Sequence, residues 1–233
     1  MSRIIIIRDV GHDFAKRILM SWLSHTERGN TMITTIIFDM GMVLIDFRWR
    51  ALYHEMGITG ERFEKMAAAT VMNPVWNEFD RGVWSDEMML EAFVKNAPEL
   101  EAELRDLMYN RFTELLKKYD YTDEWLDRLK AKGYKIYILS NFSRKGFEDC
   151  SDELDYVEKA DGAVISYKVR MIKPEPAIYR YLLDTYDIDP KEAVFIDDNA
   201  DNIAGAEKFG ITGILFTDKK SADEELAKLG VIY

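Results

Sequence analysis

Hydrophobic and polar positions change period several times along the chain, and those changes divide it into strands and helices. Ile33 to Phe38 is a short β-branched run that stops at Asp39. Similar runs cover Lys135 to Leu139, ending at Ser140, then Ala163 to Ser166, then Ala193 to Ile196, ending at the pair Asp197–Asp198, and finally Gly213 to Phe216. Helical spacing separates the later runs. Glu175 to Tyr186 places Ile178 and Leu182 on one face, with Pro174 and Pro176 at its start, where proline is tolerated. Ala200 to Phe209 closes on Gly210, and Ser221 to Leu229 closes on Gly230. This alternation predicts βαβ units and a parallel sheet. Residues 47–119 interrupt it with no strand-like run. Helices are expected there over Glu61 to Val71, Asp86 to Lys95 and Pro98 to Lys118, with Ser85 and Asn96 in N-cap positions.

Composition narrows the setting. Hydrophobic residues make up 48% of the 233 positions, enough for a sizeable core. The formal net charge of −11 opposes general electrostatic attraction to a polyanion, so no nucleic-acid partner is expected. No apolar run reaches the roughly 18 residues of a membrane helix, so no membrane partner is expected either. Cys150 is the single cysteine, which suits a reducing, cytoplasmic location. Residues 1–31 read as an N-terminal extension without an assigned role. Its bases Arg3, Arg8, Lys16, Arg17 and Arg28 outnumber its acids, and Phe14, Ile18, Trp22 and Leu23 fall near the spacing of a short amphipathic helix. His12, His25 and His54 are scattered, without metal-ligand spacing.

The candidate chemistry lies where the strands end. Ligands of an open parallel sheet bind beyond the carboxyl ends of its strands. Three strand runs deliver Asp39, Ser140 and the Asp197–Asp198 pair to that edge, and Lys173 follows the third run by a loop. Two adjacent carboxylates after a buried strand cost stability unless a cation or protons neutralise them. One divalent cation together with Lys173 balances Asp39, Asp197 and Asp198, and the site then accepts a phosphate dianion. Oxygen ligands without His or Cys suit Mg²⁺ rather than zinc.

The segments Ile36-Ile-Phe-Asp-Met-Gly-Met-Val-Leu-Ile45, Ile138-Leu-Ser-Asn141, Ile172-Lys-Pro-Glu175 and Phe195-Ile-Asp-Asp-Asn-Ala-Asp-Asn202 resemble, in order and spacing, the four motifs of the haloacid-dehalogenase-like hydrolase superfamily. The resemblance implies an α/β, Rossmann-like five-stranded parallel sheet formed by residues 32–46 and 120–233, with residues 47–119 inserted as an α-helical cap. It implies a Mg²⁺-dependent phosphatase in which Asp39 is the nucleophile and forms an aspartyl-phosphate. Ser140 would bond a non-bridging phosphoryl oxygen, and Lys173 would hold the Asp39 carboxylate and neutralise developing charge. The metal would be held by Asp39, the Gly41 carbonyl and Asp198, with Asp197 ligating or acting through water. Asn141 and Asn202 would be supporting hydrogen-bond partners. The stretch from Lys168 to Phe216 most resembles the sugar phosphatase branch that includes glucose-1-phosphatase-like members, so a small phosphorylated molecule such as glucose 1-phosphate is the expected substrate. A monomer and a homodimer both remain open.

The chain departs from the common phosphatase pattern at Gly41, which stands where a second aspartate usually serves as general acid. Asp46 is the nearest replacement in sequence; a good leaving group, or weak turnover by a phosphate-binding protein, are the alternatives. A metal-independent 2-haloacid dehalogenase is the second enzymatic reading, although such enzymes typically carry serine or asparagine where this chain has Asp197–Asp198. Within the insert, Trp76, Asn77, Asp80, Arg81 and Trp84 form a mixed aromatic and polar cluster that either selects substrate, with Arg81 binding a second anionic group, or fills the core between insert helices.

Overall fold

The computed structural model describes residues 32–233; the helical expectation around Phe14 to Leu23 lies outside them. Five strands form one parallel sheet: β1 (Thr35–Phe38), β4 (Lys135–Ser140), β5 (Gly162–Ile165), β6 (Ala193–Asp197) and β7 (Thr212–Leu215), in the order β5-β4-β1-β6-β7. β1 is central. Its Phe38 is in register with Ile138 on one side and Ile196 on the other, which brings Asp39 level with the ends of β4 and β6. The strand order reverses direction around β1, the position where open parallel sheets bind ligands.

Side-chain alternation along the strands builds two core layers. Ile36, Phe38, Ile136, Ile138, Val194 and Ile196 face one side, where helix α6 (Thr122–Ala131) lays Trp125, Leu126 and Leu129 against them. The Trp125 ring meets Phe38 edge-on at 4.8 Å. Ile37, Tyr137, Leu139 and Phe195 face the other side, covered by α9 (Pro176–Tyr186) through Tyr179 and Leu182 and by α10 (Ala200–Glu207) through Ile203 and Ala206. Each such aliphatic side chain, removed from water, contributes roughly 1.5–3 kcal/mol. Helix α11 (Lys219–Lys228) completes the first layer with Ala222 and Leu226.

Between β1 and β4 the chain is mainly helical: α1 (Trp49–Glu55), α2 (Gly60–Ala69), α3 (Val75–Arg81), α4 (Asp86–Asn96) and α5 (Glu101–Tyr109). Ser85 caps α4 as expected, accepting from Met88 N at 3.3 Å. Three expectations for this stretch are corrected. Two short strands are present, β2 (Ile45–Phe47) and β3 (Leu116–Lys118), paired antiparallel at the base of the insert. The single helix expected over Pro98 to Lys118 is a 3₁₀ turn at Pro98–Leu100, α5, a second 3₁₀ turn at Phe112–Leu115, and β3. Asn96 closes α4 instead of capping the next helix, because Pro98 opens the 3₁₀ turn after Ala97. Two short helices follow β4 and β5, α7 (Arg144–Asp149) and α8 (Ser166–Val169).

Candidate active site

Asp39 leaves the end of β1 as a buried carboxylate. Its Oδ1 accepts from Met40 N at 2.7 Å and from Ser140 Oγ at 2.7 Å, and lies 2.8 Å from Lys173 Nζ. All three contacts converge on one oxygen, and Oδ2 has no hydrogen-bond partner among the described residues. A carboxylate held by one oxygen with the other unengaged is oriented for attack. Burial raises the Asp39 pKa; Lys173 opposes that shift and Asp197 reinforces it.

Lys173 is fully enclosed and bridges two strand ends, its Nζ lying 2.6 Å from Asp197 Oδ2 as well. Burial works against its charge, but Asp197 and Asp39 outweigh burial and hold the amine above its ordinary range. Asn141 fixes the Lys173 backbone reciprocally. Lys173 N donates to Asn141 Oδ1 at 2.7 Å, and Asn141 Nδ2 donates to Lys173 O at 2.9 Å. Asp197 accepts from Asn199 N at 2.8 Å and from Asn202 Nδ2 at 3.0 and 3.1 Å, so both its oxygens are engaged. Asp198, the next residue, reaches the surface, and partial desolvation of its carboxyl together with the adjacent Asp197 raises its pKa.

Ligand oxygens of Asp39, Asp197 and Asp198 lie within 4.8 Å of one another. Oxygens opposite each other around octahedral Mg²⁺ stand about 4.2 Å apart, so this donor set fits a hard divalent ion with small adjustment. Asp197 is already committed to Lys173 and Asn202, which leaves Asp39 and Asp198 as the carboxylates with capacity for direct ligation. Gly41 lines the same cavity. Its φ is not positive, and a Cβ built there meets nothing within 4 Å, so the backbone does not demand glycine at this position.

The cavity encloses about 400 Å³. Its lining combines the polar residues Asp39, Gly41, Asp80, Asn141, Asp198 and Asn202 with the apolar residues Phe47, Val71, Trp76, Phe112, Leu115 and Leu116. The strand-end residues Asp39, Ser140, Lys173 and Asp197, with Asn141 and Asn202 expected from the resemblance, form one hydrogen-bonded group, and Gly41 and Asp198 line the adjoining cavity. Asp46 does not line the cavity; it lies on β2 near Tyr119 and Tyr121. Arg81 is not free to take a second anion, because it makes two hydrogen bonds to Glu175, at 2.9 and 2.7 Å. Trp76 packs in the insert core, stacking on Phe93 with ring centroids 5.9 Å apart, and also lines the cavity. The residue that sequence order did not assign is Asp80, at the last turn of α3. Burial, then the nearby Asp39, pushes its pKa up to about 8, against the opposing effect of Lys173.

Comparison with known proteins agrees with this geometry. A family model described as haloacid dehalogenase-like hydrolase matches residues 33–210. The chain is similar to sesquiterpene phosphatase astK of Aspergillus oryzae, 24% identical over 85% of this chain and 97% of the relative. It is also similar to (S)-2-haloacid dehalogenase 1 of a Pseudomonas species, 25% identical over 78% of this chain and 83% of the relative. The chain spans 37% and 19% of the length of two further curated relatives. Among solved structures, a HAD family enzyme from Bacteroides thetaiotaomicron, an Asp-to-Ala mutant in complex with magnesium and inorganic phosphate, superposes with a TM-score of 0.65 at 23% identity, covering 80% of this chain and 95% of that one. The family model spans most of the chain and both halves of the motif set, and on that ground the chain belongs to the haloacid dehalogenase-like hydrolases.

Proposed function

We propose that this hydrolase is a Mg²⁺-dependent phosphatase that cleaves a small phosphomonoester by attack of Asp39 on phosphorus. One observation carries the reading: three carboxylates gather within 4.8 Å around a single buried ammonium, Lys173. Such a cluster repels a phosphate dianion until a cation joins it. Asp39, Asp198 and the Gly41 carbonyl would hold that cation, with Asp197 acting through Lys173 and through water. When bound, the ion supplies charge neutralisation for the phosphoryl group. The Bacteroides enzyme, whose complex holds magnesium and phosphate, supports the same assignment.

The chain's own residues supply the rest. Asp39 bonds to phosphorus and carries the phosphoryl group until water releases it. Lys173 keeps Asp39 in position and offsets charge developing on the phosphoryl oxygens. Ser140, bonded to Asp39 in the free protein, would pass its hydroxyl to a non-bridging oxygen. Asn141 positions Lys173, and Asn202 positions Asp197. Residues 47–119 act as the helical cap over a core of residues 32–46 and 120–233, so substrate choice falls to the wall that the insert contributes. The described residues contain no helix long and apolar enough to cross a membrane. The reading places the reaction in the cytoplasm, on a small-molecule substrate without nucleic acid.

A sugar phosphate such as glucose 1-phosphate is the substrate favoured by the resemblance over Lys168 to Phe216. A second reading, a phosphate with an apolar body, is favoured by the apolar lining residues Phe47, Val71, Trp76, Phe112, Leu115 and Leu116, which present few donors to sugar hydroxyls. The test is phosphate release from a panel of sugar, alkyl and prenyl phosphates and nucleotides, run beside halide release from 2-chloropropionate. The proposal expects phosphate release from a member of the first three groups, dependent on Mg²⁺. Halide release that persists in chelator, with no phosphate released from any ester, would overturn it in favour of a dehalogenase.

A further inference from the structure

We infer that Asp80, delivered by helix α3 of the insert, is the proton donor to the leaving group, replacing the carboxylate that Gly41 lacks. The inference rests on the phosphatase reading above. Its basis is position. Asp80 lines the same cavity as Asp39, Gly41 and Asp198, whereas Asp46, the nearer acid in sequence, does not.

Three contacts lock the end of α3 against the core and so fix where Asp80 stands. Ser166 Oγ donates to the Asp80 carbonyl at 2.5 Å while accepting from Phe142 N at 2.8 Å, which ties Asp80 to the loop that follows Ser140. Arg81, the next residue, grips Glu175 two residues beyond Lys173. Gly82 then ends the helix at φ +73°, with space for no side chain, because a Cβ there would stand 2.8 Å from Tyr167 Cβ. With its backbone held on three sides, the Asp80 carboxyl has no hydrogen-bond partner among the described residues. Asp80 is thus a half-buried acid that lines the cavity without such a partner, so its carboxyl is available to a bound ligand.

Charge favours the protonated form. The groups facing Asp80 across the cavity are Asp39 and Lys173, with Asp198 lining the same space. On its own helix Glu78 and Arg81 pair with each other, and Arg81 turns to Glu175. From α8, Lys168 lies over the Phe147 ring at 4.2 Å instead of beside Asp80. Burial and Asp39 raise the carboxyl above its ordinary range against Lys173, the direction that suits a general acid.

The step balances. As an Asp39 oxygen bonds to phosphorus, the bond from phosphorus to the leaving oxygen breaks, and the Asp80 proton goes to that oxygen to give the alcohol. Water then attacks phosphorus, its proton returns to the Asp80 carboxylate, and phosphate leaves as Asp39 is regenerated.

The experiment compares wild type and Asp80→Asn on 4-nitrophenyl phosphate and on a primary alkyl phosphate. The aryl oxygen departs without a proton, whereas the alkyl oxygen needs one. Asp80→Asn should lose about 10²-fold or more in kcat/KM on the alkyl ester and less than about threefold on the aryl ester. It should also lose the basic limb of the alkyl pH profile, which a merely structural role would not move. Asp80→Ala carries the same comparison should the asparagine variant melt below assay temperature. Equal losses on both esters, or none on either, would overturn the inference while leaving the phosphatase reading intact. A wild type silent on both esters would overturn the phosphatase reading and the inference with it.

Discussion

Arg81 of the insert and Glu175 of the core are joined by two hydrogen bonds, from Nη1 to Oε2 at 2.9 Å and from Nη2 to Oε1 at 2.7 Å. Arg81 is partly shielded and Glu175 is half exposed, so the pair contributes at most about 1 kcal/mol to stability. Its consequence is geometric, because it anchors the helix end that carries Asp80. Arg81→Ala should therefore shift Tm by only a few degrees but lower kcat/KM on alkyl phosphates by about tenfold. The charge-swapped double variant Arg81→Glu with Glu175→Arg should recover part of that loss. Thermal melts and kinetics on the same preparations check the contrast; a stability loss with unchanged kinetics would show that the pair does not position the site.

Stability should depend on pH through Asp80. Its folded pKa is raised to about 8 from an ordinary 3.8. Between those values the folded state holds a proton that the unfolded state has released, so this group makes stability fall as pH rises through that window. In chelator, Asp80→Asn should be more stable than wild type near pH 8, with the difference closing toward pH 4. Urea unfolding at four or five pH values measures it. A constant difference across the window would show that Asp80 titrates normally.

Gly41 can be tested as the other half of the same device. A side chain there meets open space, so Gly41→Asp should fold with its Tm within a few degrees of wild type. In the Asp80→Asn background it should restore alkyl phosphate turnover by about tenfold or more, because either carboxyl can serve the leaving oxygen. Alone it should add little. A gain by Gly41→Asp in the wild-type background as large as in the Asp80→Asn background would mean that Asp80 donates no proton.

The packing that holds the Asp197–Asp198 edge has its own test. A Cβ on Gly213 of β7 would lie 2.4 Å from Ile203 Cγ2 of α10, the helix that carries Asn202. Gly213→Ala should destabilise the fold by about 1–3 kcal/mol through overpacking, read as a lowered urea midpoint. An unchanged midpoint would show that α10 yields to the methyl group.

The strands that carry Asp39, Ser140 and Asp197 were legible because burial on both faces leaves an unbroken apolar run in the sequence, and each run stops at a polar residue of the site. Their bounds moved by only one or two residues. β2 and β3 were not legible. Each has three residues, Lys117 and Lys118 give β3 no apolar signature, and only pairing across the length of the insert defines them. Pro98 to Lys118 read as one helix because spacing alone does not register where local turns tighten around Leu100 and Leu115. Asp80 was visible as part of a polar and aromatic cluster, but not as a neighbour of Asp39. That proximity arises from α3 docking on α8, a tertiary contact with no local signal.

The central claim is that Asp39 attacks phosphorus in a site that needs a divalent cation. Steady-state phosphate release, measured side by side for wild type and Asp39→Asn with excess Mg²⁺ and with chelator, tests it most directly. The account predicts turnover only for wild type with Mg²⁺, and a loss of about 10³-fold or more in Asp39→Asn at an unchanged melting temperature. Turnover by Asp39→Asn within tenfold of wild type, or wild-type turnover undiminished in chelator, would contradict it.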